Sequence, residues 1–350
     1  MKVVRFTKYR FIAITISLLI IIGGAVGTYL NGGFNLGIDF KAGMTEQVSI
    51  KSSSPVDIEE VRAALSGLDA QIQQVGDAEA NEFIIKVKQE GNDDNFRDKM
   101  REKILSALSS AFGSSNVEER SSNYIGPRFS ATLATQSVTL VLIAFLFMLV
   151  YVWFRFEFSY SIGAITALFH DTLMVLGIIG LTQLEFTTAT IAAVLTIVGY
   201  SINDTIVVFD RIRENTTLLK EKPFKDIVNI SITETLSRTL ITSFTTFIAV
   251  AAIYVFATGE IQRFALTLMI GIIVGTYSSI FIASPIMMAI YTRKKKEEET
   301  IKEKKAIEAE KRASQEPVKE EKTIDNGTPA GEALVSGKKK VPRSKRKKKK

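Results

Sequence analysis

The stretch TTATIAAVLTIVGYSINDTIVVFDRIREN, residues 187–215, decides the fold class of this chain. It stays apolar for about twenty residues before Asp210 and Arg211, which is the length that a helix needs to cross a hydrocarbon core of about 30 Å. One charged side chain, Asp204, lies inside this apolar run. A carboxylate in a membrane helix is costly to insert, so its presence indicates a function.

Six apolar runs of sufficient length occur in the 350 residues. They are residues 11–30, 136–154, 160–181, 187–209, 239–257 and 264–290. The sequence therefore predicts a polytopic α-helical membrane protein with six transmembrane helices, five of them within residues 136–291. The first run follows basic residues, but it is too long for the apolar core of a cleavable signal peptide, and we interpret it as a retained span.

Lys and Arg predict the orientation, because short flanks rich in these residues stay in the cytoplasm. Basic residues cluster in residues 1–10, in residues 210–238 and after residue 292. We therefore expect both termini and the loop 210–238 on the cytoplasmic side, with a surface helix over residues 223–237. Residues 31–135, between the first two spans, are then exterior.

The exterior segment, residues 31–135, has strand and helix signals in the order βαββαβ. This order is typical of a ferredoxin-like α+β domain. The segment after residue 292 is rich in Lys and Glu and ends in KKKVPRSKRKKKK. It is too polar to bury a core, which predicts a disordered basic tail over residues 292–350. Its last cluster favours weak attraction to membrane lipid, and no specific nucleic-acid motif accompanies it.

The motifs of several enzyme classes are missing from the sequence. There is no cysteine, only one histidine, no G-x-x-x-x-G-K-[ST] phosphate loop and no H-E-x-x-H zinc motif. We therefore predict no metal, no cofactor and no enzymatic activity. Any work that the protein performs takes its energy from an ion gradient or from a partner.

Few ionisable residues lie inside the spans, and they are candidates for a proton pathway. A low dielectric favours the neutral form of a carboxyl group, and a nearby guanidinium group favours the charged form. A carboxyl group can therefore take up and release a proton when its distance from a guanidinium group changes. We predict this role for Asp204 and Arg238, with Asp171 and Asn203 tuning the site. A static hydrogen bond between helices is the alternative for either carboxylate, and it is the more typical role of His170.

Small residues recur at every fourth position of the last span. They are Gly271, Gly275, Ser279 and Ala283. Small side chains at this spacing let two membrane helices approach closely. The stripe therefore predicts a helix-packing face and not a substrate site.

Four segments resemble the SecF family of bacterial protein-export membrane proteins, which belongs to the RND superfamily. VGYSINDTIVVFDRIREN (198–215) is preceded by FHD (169–171) and followed by SRTLITS (237–243). GIDFKAG (37–43) is similar to the family motif G-I-D-F-x-G-G after the first helix, and this assigns Gly37, Asp39 and Gly43 to that motif. The resemblance covers about residues 11–291.

This resemblance implies a function and a set of partners. A SecD partner would supply six more helices, with a proton path between the two sets in the bacterial cytoplasmic membrane. The SecYEG channel, the SecA ATPase and the translocating preprotein are further implied partners, with YidC and YajC as additional candidates. The proton motive force would promote preprotein translocation. In the family, the aspartate of "ND" and the arginine of "RTL" form the proton pathway, and these are Asp204 and Arg238 here.

Two departures from the family pattern and two other functions stay open. Ala42 replaces the first of the paired glycines, which would alter a turn that needs positive φ. Glu234 lies one turn before Arg238, so the two are expected to pair and to compete with Asp204. An RND-type exporter of small molecules and a non-conducting scaffold of the translocon are the alternatives, and sodium is the alternative to the proton.

Overall fold

The computed structural model describes residues 3–89, 91, 93 and 95–315, apart from the side chains of residues 78 and 309–315. Its helices and strands follow in chain order. They are α1 (Arg10–Leu30), β1 (Gly43–Ile50), α2 (Ile58–Ala64), β2 (Ala70–Val75), β3 (Glu82–Lys88), α3 (Phe96–Phe112), β4 (Val117–Ile125), α4 (Pro127–Arg155), α5 (Phe158–Thr182), α6 (Thr188–Leu218), α7 (Phe224–Phe256), α8 (Gly259–Ser278) and α9 (Ser284–Gln315). A π-helical turn, Ser279–Ala283, joins α8 to α9.

The prediction of six membrane-spanning helices is confirmed for the described part of the chain. They are α1, α4, α5, α6, α7 and the continuous helix that begins with α8. In their most apolar windows, 61% of α5, 50% of α6 and 61% of the last helix is buried, against 22%, 11% and 17% for α1, α4 and α7. The first three therefore form the centre of the bundle, and the other three present apolar faces outward.

The predicted βαββαβ domain is also confirmed. Its four strands form one antiparallel sheet in the order β2-β3-β1-β4, with α2 and α3 as the two connecting helices. Strand and helix side chains share one apolar core, which includes Met44, Val48, Phe83, Ile104 and Leu108. We call residues 43–125 the sheet domain. It lies between α1 and α4 in the chain, so it sits at the membrane side where α1 ends and α4 begins.

The helix predicted over residues 223–237 is present, but it is the first part of α7 and not a separate surface helix. Helix α6 continues to Leu218 and α7 begins at Phe224, so only residues 219–223 connect them. Some polar residues between residues 210 and 238 join the two helices: the Asn215 side chain donates to Ser231 Oγ at 3.0 Å. Because these contacts satisfy the polar groups, the two membrane helices extend beyond the apolar runs. Helix α4 likewise starts at Pro127, earlier than the expected residue 136.

The prediction of disorder from residue 292 onward is wrong for residues 292–315, which belong to α9. This stretch contains no Gly or Pro and is rich in Lys, Glu and Ala, which favour helix. Arg293 donates to Glu297 at 3.0 Å, one i, i+4 pair that supports the helix. Residues 316–350, with the final basic cluster, lie outside the described residues.

Glycines set the closest helix contacts. A Cβ on Gly271 would lie 2.2 Å from the Ile197 side chain of α6, and a Cβ on Gly275 would lie 3.0 Å from Ser201. Ser279 is buried at the start of the π turn. A second close crossing, between α1 and α5, was not predicted from the sequence. There the two backbones approach each other directly, because a Cβ on Gly24 would lie 2.6 Å from the Gly177 backbone.

Candidate functional site

Asp204 lies in the interior of α6 with 4% of its surface exposed. Its Oδ2 accepts a hydrogen bond from Ser243 Oγ of α7 at 3.3 Å, and Ser243 Oγ in turn accepts from Thr276 Oγ1 of α8 at 2.7 Å. The carboxylate is therefore held by a chain of hydroxyl groups that joins three helices. Hydroxyl groups bind the neutral and the charged form of a carboxyl group, so this arrangement accommodates both.

Asn203 and Arg238 face outward, unlike Asp204. Both residues are exposed in this chain, although each lies on a membrane-spanning helix. Within the described part of the chain, Arg238 makes no ion pair, with Asp204 or with any other carboxylate. The structure therefore does not bring the expected pair into contact. It places one member inside the bundle and the other on its surface.

Glu234 does not pair with Arg238, contrary to expectation. It accepts hydrogen bonds from Arg211 Nε at 2.7 Å and from Asn215 Nδ2 at 2.8 Å, both on α6. Two donors on the neighbouring helix therefore occupy Glu234, instead of the i, i+4 arginine on its own helix. Arg238 is left free of competition from this carboxylate.

A second buried carboxylate, Asp171 of α5, is fully enclosed. It accepts hydrogen bonds from Ser201 Oγ of α6 and from Ser278 Oγ of α8 at 2.9 Å, and its other oxygen lies 3.0 Å from His170 Nδ1. His170 Nε2 is buried and has no hydrogen-bond partner in the described part of the chain. Ser201 is one turn before Asp204, so two separate carboxylate clusters use α6 and α8.

The π turn lies directly after Ser278, which binds Asp171. Ser284 Oγ donates to Ser279 O at 2.9 Å, across the turn. Turns of this kind insert one residue into a helix and occur often at functional sites. Helix α5 packs tightly against it, because a Cβ on Gly163 would lie 2.8 Å from Ala283 O. Apart from the run of hydroxyl residues, nothing in the sequence predicts the π turn.

The motif after α1 connects to the start of α6. Asp39 Oδ2 accepts hydrogen bonds from both Thr188 N and Thr188 Oγ1 at 2.8 Å, so a residue remote in sequence caps the helix that carries Asp204. Gly37 N donates to Phe186 O at 2.9 Å. A Cβ on Gly37 would lie 2.8 Å from Thr187 Cγ2, which explains why glycine occupies this position.

Gly43 and Ala42 differ in what they require of the backbone. A Cβ on Gly43 would lie 2.6 Å from Val87 O, so the close approach of β3 requires glycine there. Ala42 is buried but does not have positive φ. The alanine that departs from the family pattern therefore fits this turn without strain.

A buried charge cluster ties the sheet domain to the membrane helices, and the sequence did not reveal it. Lys86 Nζ of β3 lies 3.4 Å from Glu185, in the α5–α6 connector, and 3.1 Å from Glu260 of α8. Arg263 of α8 lies 3.0 Å from Glu185 and donates to Gln73 Oε1 of β2 at 3.2 Å. Opposite charges at this spacing fix the sheet domain against α8.

The sheet domain also encloses a carboxyl group that has no hydrogen-bond partner. Glu46 of β1 is fully buried, and neither of its oxygens is hydrogen-bonded within the described part of the chain. Burial raises the pKa of Glu46 to about 7. Hydrogen bonds from Arg101 hold the pKa of the neighbouring Glu119 below its ordinary value. Among the described residues, no three His, Asp or Glu side chains gather into a metal-binding group.

Comparisons with known proteins fit this architecture. The family model for protein export membrane protein SecD/SecF, C-terminal, matches residues 104–293. The protein translocase subunit SecF of Borreliella burgdorferi is 40% identical over 297 residues, covering 83% of this chain and 99% of that relative. The subunit SecF of Rhodothermus marinus is 38% identical over 268 residues, covering 75% of this chain and 85% of the relative.

Longer proteins match as well. The protein translocase subunit SecDF of Brucella abortus is 35% identical over 285 residues, which are 81% of this chain and 36% of that relative. The crystal structure of SecDF, a translocon-associated membrane protein from Thermus thermophilus, superposes with a TM-score of 0.68 at 35% identity. The superposition covers 83% of this chain and 39% of the longer one, so this chain corresponds to a part of SecDF.

Proposed function

Because this chain belongs to the SecD/SecF family of protein export membrane proteins, we propose that it is a SecF-type translocase subunit that uses the proton motive force to promote protein translocation. The observation that supports this most directly is the buried Asp204 carboxyl group of α6, which accepts a hydrogen bond from the Ser243 hydroxyl group of α7. No cation of the described residues lies within ion-pair distance of Asp204, so its protonation depends on how closely a cation approaches it.

In the proposed cycle, neutral Asp204 keeps its hydrogen bond to Ser243 and charged Asp204 attracts Arg238. Because Arg238 is exposed in this structure, the proposed cycle requires a second conformation in which Arg238 approaches Asp204. Asp171 is held by three groups already, so its role is to keep α5, α6 and α8 in register around the site. Asn203, exposed beside Asp204, contacts the partner and tunes the pathway from outside.

A SecD subunit is the proposed partner across the outward faces of α4 and α7. The relatives in which SecD and SecF form one chain support this pairing, and so do the exposed apolar surfaces of these two helices. Asn203 and Arg238 would then lie at a protein interface instead of in lipid, where such groups are costly. The SecYEG channel, SecA and the preprotein are the wider partners, with both termini cytoplasmic and the sheet domain exterior.

Movement at Asp204 reaches the sheet domain through two connections in this proposal. Asp39 caps α6 at 2.8 Å, and Lys86 joins the sheet domain to the α5–α6 connector. The protein performs no catalysis of its own in this account. It converts the movement of ions into movement of the sheet domain.

The test is the gradient-driven rate of preprotein translocation into membrane vesicles that carry Asp204→Asn, at matched SecF and SecD levels. Asp210→Asn is the matched control, because it removes a carboxylate from the same helix at a partly exposed ion pair with Arg155. We expect the first variant to lose the gradient-driven component and the second to keep it, with both complexes assembled.

The same assay separates the alternatives. A scaffold that conducts no ions would tolerate Asp204→Asn. An unchanged translocation rate in this variant would therefore contradict the proton-pathway proposal. A sodium-coupled protein would respond to a sodium gradient in place of a proton gradient. A small-molecule exporter would export its substrate without SecD and would leave preprotein translocation unaffected.

A further inference from the structure

A crevice of about 510 Å³ opens between α1 and α9, at the membrane side opposite the sheet domain. Its walls are apolar and come from both helices. They comprise Phe11, Ile14, Pro285, Ile286, Met288 and Ala289. None of these residues contributes to the Asp204 site or to the contacts of the sheet domain.

Three cations line the mouth of this α1–α9 crevice: Arg10 from α1, and Arg293 and Lys296 from α9. The Arg10 guanidinium lies 4.7 Å from the Phe11 ring centre. Arg293 donates through Nε to Glu297 at 3.0 Å, and both side chains are largely exposed. This one bond leaves the remaining guanidinium nitrogens of Arg293 for another acceptor. The crevice therefore combines a positive mouth with an apolar interior.

We infer that the α1–α9 crevice binds an anionic phospholipid, with its phosphate at the three cations and one acyl chain along the apolar walls. A small soluble anion would leave the apolar walls uncovered, and a zwitterionic or neutral lipid would not match the positive mouth. Guanidinium groups bind phosphate through parallel hydrogen bonds. Basic pockets between membrane helices on the cytoplasmic side are recognised sites for anionic head groups.

Native mass spectrometry of the full-length protein in detergent tests the inference, with equimolar phosphatidylglycerol and phosphatidylcholine of the same acyl chains. We expect selective retention of phosphatidylglycerol. The variant Arg10→Gln/Arg293→Gln/Lys296→Gln should lower its apparent affinity at least tenfold, because each Lys or Arg near an anionic surface contributes about fivefold. The matched control is Lys220→Gln/Lys222→Gln/Lys225→Gln, which removes equal charge from exposed residues outside the crevice. It should retain the lipid.

A second variant, Ala289→Phe, fills the crevice and keeps every charge. It should also weaken binding, whereas soluble glycerophosphoglycerol should not displace the lipid. Equal retention of both lipids, or equal losses in the crevice variant and its control, would overturn the inference. Displacement by glycerophosphoglycerol would overturn it too, because the site would then bind the anion without the acyl chain.

Discussion

Replacing Asp39 with alanine removes the carboxylate that caps α6 from a distant part of the chain. Two hydrogen bonds of 2.8 Å, to Thr188 N and to Thr188 Oγ1, are lost together. Loss of a capping side chain costs about 0.5 to 2 kcal/mol, and loss of a negative charge at a helix N-terminus adds about 0.3 to 1 kcal/mol. We therefore expect the first turn of α6 to open more easily by about 1 to 2 kcal/mol.

Hydrogen exchange followed by mass spectrometry on the full-length protein measures this opening. Peptides that cover residues 188–193 should exchange about five to thirty times faster in Asp39→Ala, and peptides of β3 should not change. Asp39→Asn keeps an acceptor oxygen and loses only the charge, so it should show a smaller effect. If exchange at residues 188–193 is the same in Asp39→Ala and in the unaltered protein, the capping argument is wrong.

Three further predictions concern the sheet domain and the bundle. Since burial raises the pKa of Glu46 from 4.5 to about 7, the contribution of Glu46 to the stability of the sheet domain is greatest below pH 4.5 and falls by up to about 3 kcal/mol as the pH rises to 7. Glu46→Gln should remove this loss, as measured by pulse proteolysis at about pH 5 and about pH 8; an equal pH dependence in both proteins would contradict it. Glu185→Gln leaves the buried Lys86 with only Glu260, and the partly buried Arg263 without an ion pair, and should cost about 3 to 5 kcal/mol, whereas Glu260→Gln, at a half-exposed position, should cost less than about 1 kcal/mol; exchange in β3 measures both, and equal effects would refute the ranking. Gly271→Ala should destabilise the bundle by about 1 to 3 kcal/mol, because the added methyl group overpacks against α6, and this should lower the thermal midpoint in detergent. Gly199→Ala should leave the midpoint unchanged, because there is open space around Gly199. A lower midpoint in both variants would count against close packing at residue 271.

The features that the sequence predicted correctly depend on local pattern. The apolar runs indicated six spans because a membrane demands continuous apolar surface, and alternating periods of two and 3.6 indicated the βαββαβ order of the sheet domain. Asp204 was expected inside the bundle, and the structure buries it. Span ends were less accurate, because polar residues such as Asn215 extend helices by binding one another, which hydropathy does not register.

The features that the sequence did not predict depend on contacts between distant residues. The spacing of Glu234 and Arg238 suggested a pair within one helix, but Arg211 from the neighbouring helix takes the carboxylate. Nothing local in the sequence joins Lys86 to Glu185, because α4 and α5 separate the two residues in the chain and they meet only after folding. The separation of Asp204 from Arg238 likewise follows from how α6 and α7 are rotated against each other.

The cap on α6 also determines how that helix can move. With Asp39 and Phe186 fastening its first turn, the sheet-domain end of α6 acts as a pivot. Asp204 lies 16 residues along the helix from Thr188, an arm of about 24 Å at 1.5 Å per residue. A tilt of about 5° about this pivot would carry the carboxyl group sideways by about 2 Å, enough to break a hydrogen bond and make another. The motif after the first helix, which is remote from Asp204, thereby fixes the point about which the Asp204 carboxyl group would move.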